Sequence, residues 1–185
     1  MKPPTLAEIE EMQRRGFEAV TIAKAREHYE RGQRALKLCT LIEAAFAEVR
    51  LGSGIGLHEA RALDDYADGS TQAAARAEDE KEDWQKISAA TLRERNSSLS
   101  FFDAAGMRFH LPAFLICDLQ GEYGFDLDFK LTQLSDYSKN QFTLLDHKQR
   151  LAVCLYLLHI ADDPGYAFVR PHILRALEEY WVLSE

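Results

Sequence analysis

The stretch "LSFFDAAGMRFHLPAFLICDL", Leu99 to Leu119, decides how the rest of the chain is read. Leu99, Phe101 and Phe102 lead into "DAAG", with Asp at its start and Gly at its end, and Met107, Phe109 and Leu111 then alternate with Arg108 and His110. Alternation around a turn predicts a short two-stranded β-hairpin with one buried face. Arg108 and His110 then point away from the apolar face. Pro112 suits the first turn of a helix over "PAFLICDLQGEY", because the N–H it lacks would be unbonded there in any case.

Outward from this stretch the periodicity is helical. "TLAE" at Thr5–Glu8 has capping-box form and opens an N-terminal helical arm over residues 1–38, with Gly16 and Gly32 as candidate interruptions. The arm's stripe of Leu6, Ile9, Phe17 and Val20 is thin, and offers itself to the rest of the chain or to a second copy. "ALKLCTLIEAAFAEV" sets Leu38, Leu41, Ile42, Ala45, Phe46 and Val49 at three- and four-residue steps, an amphipathic helix. A short helix is expected around His58–Tyr66. Another covers "AAARAEDEKEDWQKI", with Trp84 and Ile87 inward. Asp146 and Gln149 repeat the capping box before "HKQRLAVCLYLLHIADDP", whose apolar residues nearly encircle it and make it the candidate central helix. "RPHILRALEEYWVL" closes the chain, with Ile173, Leu174, Leu177 and Trp181 inward. The expected architecture is a mainly α, single helical domain over 39–185, with one small β-hairpin and an N-terminal helical arm.

With 185 residues, 46% hydrophobic and 28% charged, the chain has the size and composition of one globular domain. It has neither an apolar signal core nor a membrane-length apolar run, and a cytoplasmic protein without membrane contact is expected. Cys39, Cys117 and Cys154 stand apart in apolar runs, the pattern of buried thiols rather than of a disulfide framework or a zinc site. The net charge is −8, and it is lopsided: residues 1–50 carry nine Lys/Arg against eight Asp/Glu, and residues 51–185 carry thirteen against twenty-two. Such a field repels nucleic-acid phosphates and suits a basic protein partner or a cation.

Recognisable catalytic patterns are missing. The glycines of "GSGIG" follow a helix with GxGxG spacing, not the GxGxxG that follows a strand in dinucleotide-binding folds. "DDYADG" puts tyrosine third and alanine twelfth where a calcium loop needs ligands. The six histidines are scattered singly, with no HExxH, and there is no GxSxG elbow or Walker loop. No cofactor is indicated. Asp64, Asp65, Asp68, Glu78, Asp79, Glu82 and Asp83 are the candidate interaction residues. On one helix, Glu78 with Glu82 and Asp79 with Asp83 would share a face. That face is either plainly solvated, or holds magnesium or manganese for a hydrolase, or meets a basic partner. Arg108, His110 and Arg170 are the candidate ligand-binding residues, for an anionic small molecule near the hairpin.

The blocks "IEAAFAEVRLG", "DDYAD", "DEKEDWQKI", "SSLSFFDAAGMRFHLPAFLI", "LTQLSDYS" and "RPHILRALEEYW" resemble the bacterial domain-of-unknown-function 6714 family, from about residue 41 to residue 182. The resemblance implies a small, mainly helical cytosolic bacterial domain and carries over no catalytic residue. The functional expectation is an interaction module, an immunity- or antitoxin-like inhibitor of a basic partner, with a homodimer through the arm. The alternatives are an anion-binding regulatory domain and the metal-dependent hydrolase.

Overall fold

The computed structural model describes residues 3–182, and among them every regular element is helical. The chain opens with α1 (Leu6–Arg14), closed at its start by the expected box: Thr5 Oγ1 accepts from the Glu8 amide, and Glu8 accepts from the Thr5 amide. Gly16, at φ 72, turns the chain into α2 (Ala19–Phe46). Gly32 does not interrupt α2. This 28-residue helix runs through the expected arm boundary without a break, and Leu38, Cys39, Ile42 and Phe46 on its C-terminal half are buried against the later helices. Arg31 pairs with Asp163 at 2.9 Å and Arg34 with Asp162 at 3.3 Å, fixing the middle of α2 to the chain beyond residue 161.

The hairpin is not present. Residues Ala104–Leu119 form one helix, α6, whose N-cap is Asp103 and whose interior contains Pro112. An aspartate that opens a turn and one that caps a helix make the same bond to an amide two or three residues on, so "DAAG" suits either. Here Asp103 Oδ1 accepts from Gly106 N at 2.7 Å and from Ile55 N at 3.0 Å. The apparent alternation is an accident of a helix buried nearly all round: His110, Ala113 and Phe114 are as inaccessible as Met107, Phe109 and Leu111. A proline inside a helix costs about 3 kcal/mol. Burial of Phe109, Leu111, Phe114 and Leu115 at roughly 1.5–3 kcal/mol each outweighs it.

α6 is therefore the central helix, packed by α2, by the short helix α5 (Ala89–Glu94), and by α7 (Leu127–Thr132) and α8 (Asp136–Gln141). α9 (His147–Ala161), the helix expected to be central, has its predicted capping box but leaves Leu151 and Leu158 about half exposed. α3 (Leu57–Asp64) and α4 (Gly69–Glu78) lie against each other, and α3 also meets a 3₁₀ turn at Asn96–Ser100. α10 (Arg170–Ala176) passes into one wider π turn, Leu177–Trp181, that buries Trp181. Leu174, expected inward, is half exposed. All three cysteines are free and buried, and burial pushes the Cys117 thiol up to about 11, which keeps it protonated and unreactive. Among the described residues no helix is long and apolar enough to cross a membrane.

Candidate functional site

The helix expected across the acidic run stops at Glu78. Asp79 is extended, at ψ 137, and turns its carboxylate back onto the start of α3, where Oδ1 accepts from His58 N at 2.6 Å and Oδ2 from Glu59 N at 3.2 Å. This supplies the cap that Gly56, the N-cap residue of α3, has no side chain to give. The glycine is required: a Cβ at position 56 would sit 2.1 Å from the Asp79 carboxyl. Neither Glu78 with Glu82 nor Asp79 with Asp83 shares a helix face. Among the described residues no group of three His, Cys, Asp or Glu is placed to hold a metal ion.

The other acidic candidates are spent locally. Asp64 and Asp65 pair with Arg61 at 3.4 and 2.9 Å, Asp68 caps α4, and Asp83 caps the 3₁₀ turn Trp84–Lys86. Glu82 meets Arg50 at 3.4 Å in solvent. The three ligand candidates are not gathered either. Arg108 donates to Gln149 Oε1 at 3.0 Å beside the N-cap of α9, and Arg170 donates to the Ala161 carbonyl at 2.6 Å at the other end of that helix. Those ends lie about 22 Å apart at 1.5 Å per residue. Residues 108 and 110 would share a face on a strand; on a helix they do not.

What the fold does bring together is Glu78, Asp79 and His110, in one cleft of about 180 Å³ between α3, the end of α4, α5 and α6. His58, Glu80 and Lys86 complete its polar lining. His110 is 1% exposed, with its ring stacked on Phe102 at 4.5 Å between centroids. It shares a hydrogen at Nδ1 with the Gly106 carbonyl at 2.7 Å, and since a carbonyl only accepts, Nδ1 carries the proton. Burial holds the ring down to about 4, so it is neutral at pH 7. Nε2 then presents a lone pair, with no hydrogen-bond partner among the described residues. Glu78 is the last residue of α4, where the helix dipole disfavours a carboxylate, and it has no ion pair or hydrogen bond among the described residues. Glu80 accepts from the amides of Glu82 and Asp83 at 2.8 and 3.1 Å, which fixes the loop beneath it.

The depressed His110 sets a pH dependence. Below its ordinary value of 6.5 the unfolded chain takes up a proton that the folded chain refuses until about 4, so stability is lost as pH falls through that window. The full loss attributable to this residue is about 3 kcal/mol. Urea unfolding of the wild type and His110→Gln between pH 7 and pH 4 is expected to give curves that converge as pH falls. The buried Asp79 and Asp128 and the half-buried Asp118 are common to both proteins and cancel in the difference.

No curated protein and no solved structure matches the chain. A family model matches residues 34–184, from the middle of α2 through the C-terminal turn, which takes in the cleft and all the helices around it. On that match the chain belongs to the Family of unknown function (DUF6714).

Proposed function

We propose that the protein is an interaction module that binds a basic partner protein, as an inhibitor of the immunity or antitoxin type does, by taking a lysine or arginine side chain of that partner into the His110 cleft. The observation that carries this reading is the unpartnered Nε2 of a buried, neutral His110 in a cleft that the exposed, unpaired Glu78 carboxylate also lines. A cationic side chain brings N–H donors and no acceptor, which matches that pair. At about 180 Å³ the cleft is smaller than the roughly 300 Å³ at which drug-sized sites begin, and suits a single side chain. Residues 64–83 carry eight acidic residues against two basic ones, a local field that would speed encounter with a basic surface. A cytoplasmic location goes with this reading. So does pairing of two copies through the arm, where Leu6, Phe17 and Val20 are exposed; a monomer in sedimentation equilibrium would remove that part.

The test is capture from native lysate on the immobilised wild type and on Glu78→Lys, at low and high salt, with mass spectrometry of what is retained. Lysine at the end of α4 favours the helix dipole, so the variant keeps its fold. The expected result is one stoichiometric basic protein, held by the wild type at low salt, released at high salt and not held by the variant. Equal capture by the variant, or no basic protein at all, overturns the reading.

A further inference from the structure

A second groove, of about 500 Å³, lies on the far side of the 3₁₀ turn Asn96–Ser100, between that turn, the loop 123–126 and helices α7 and α8. Its size falls within the range of small-molecule sites. Its walls include Phe125, Phe129 and Tyr137, which are 44%, 61% and 58% exposed. Three large aromatic side chains left in water around one depression are unusual on a folded surface, where such area is normally buried or used for binding.

In the groove lies Lys130, half-buried, with its ammonium 5.9 Å from the centre of the Tyr137 ring. In a chain with 30 acidic residues this lysine makes no ion pair among the described residues. Its one hydrogen-bond partner is the neutral amide oxygen of Gln141. That amide is itself locked: Gln141 is 3% exposed and its Nε2 donates to the carbonyls of Phe102 at 2.6 Å and Leu99 at 3.3 Å, so only its oxygen can face Lys130. An ammonium has three N–H donors. The fold fixes one and leaves the rest to the groove.

We propose that this groove is a binding site for a small aromatic monocarboxylate, its ring against Phe129 and Tyr137 and its carboxylate on the Lys130 ammonium. The opposite charge is the one the lysine lacks, and the flat apolar part is the one the walls lack. Asp126 also lines the groove and selects against a second negative charge. Burial lowers the Lys130 ammonium to about 8, which leaves it mostly charged at pH 7 and less costly to strip of water than an ordinary lysine. This site is separate from the His110 cleft and stands or falls without it.

The test is calorimetric titration of the full chain with phenylacetate and indole-3-acetate, and with the neutral amides of both acids. It is run on the wild type, Lys130→Met and Phe129→Ala, each checked by thermal unfolding. Methionine keeps the apolar stem and removes a half-buried charge without an acidic partner, and the Gln141 oxygen it leaves unpaired costs some stability, which the thermal unfolding reads. At least one acid is expected to bind, with its amide weaker by about tenfold or more and a similar loss in Lys130→Met. Phe129→Ala is expected to weaken acid and amide alike. Equal binding of acid and amide, full affinity in Lys130→Met, or no heat from either acid overturns the proposal.

Discussion

Gly106→Ala is expected to destabilise the protein by about 3 kcal/mol, although in an exposed helix the same change would stabilise by about 1 kcal/mol. Gly106 lies in the first turn of α6, where the loop 52–56 crosses it. A Cβ there would stand 2.2 Å from the Ile55 carbonyl oxygen, and a Cβ on Gly54 would stand 2.7 Å from the Gly106 amide. Backbone faces backbone, so no side chain can swing aside. The control is Gly69→Ala, at the start of α4, where a Cβ meets nothing within 4 Å. Urea midpoints for the two variants should move apart, with Gly69→Ala at or above the wild type. A Gly106→Ala protein as stable as the wild type would mean that α6 and this loop do not meet as described.

Trp181→Ala is expected to cost about 4 kcal/mol, at the upper end for a core truncation. Trp181 is 1% exposed, its indole N–H donates to the Leu131 carbonyl at 2.8 Å, and its ring meets Phe142 at 4.9 Å between centroids. Its own carbonyl accepts from the Cys154 thiol at 3.3 Å, and the Arg150 guanidinium lies 5.2 Å from the ring centre. The side chain thus ties the end of the chain to α7, α8 and α9. Trp181→Phe keeps most of the apolar contact and leaves the Leu131 carbonyl unpaired, so it should lose about 1–2 kcal/mol. Denaturant unfolding of both variants, followed by far-ultraviolet circular dichroism, measures the order. A loss below about 1 kcal/mol in Trp181→Ala would show that the terminal turn does not close the core.

The mainly helical class and the starts of α1 and α9 were legible because local chemistry sets them. Thr5 with Glu8 and Asp146 with Gln149 are bonded as their spacing requires, and the apolar steps of Leu38, Ile42 and Phe46 do face the core. The hairpin reading failed where a helix is buried all round, because such a helix has no polar face to show its period, and because Asp103 and Gly106 suit a turn as well as a cap. The acidic run was misread for a tertiary reason: Asp79 leaves its helix to cap α3, twenty residues earlier in the chain, and nothing near Asp79 announces it. "GSGIG" has its glycines for close approach, Gly54 to α6 and Gly56 to Asp79, which only the packed structure reveals. Of the cleft, Glu78, Asp79 and His110 stood out as candidates, but under two different readings. His58 and Lys130 carried no signal, because a lone histidine and a lone lysine look alike in a sequence whether solvated or enclosed.

The most direct test of the cleft is the long-range proton–nitrogen spectrum of the histidine rings, recorded while N-acetyl-argininamide or N-acetyl-lysinamide is added to the full chain. Before addition, His110 should show a protonated Nδ1 and a bare Nε2 at neutral pH. On addition of at least one of the two cations, the His110 Nε2 resonance should move and saturate. It should not move with the neutral N-acetyl-glutaminamide, nor with either cation in Glu78→Lys. A His110 already protonated at Nε2, or an Nε2 that neither cation moves, would contradict the account.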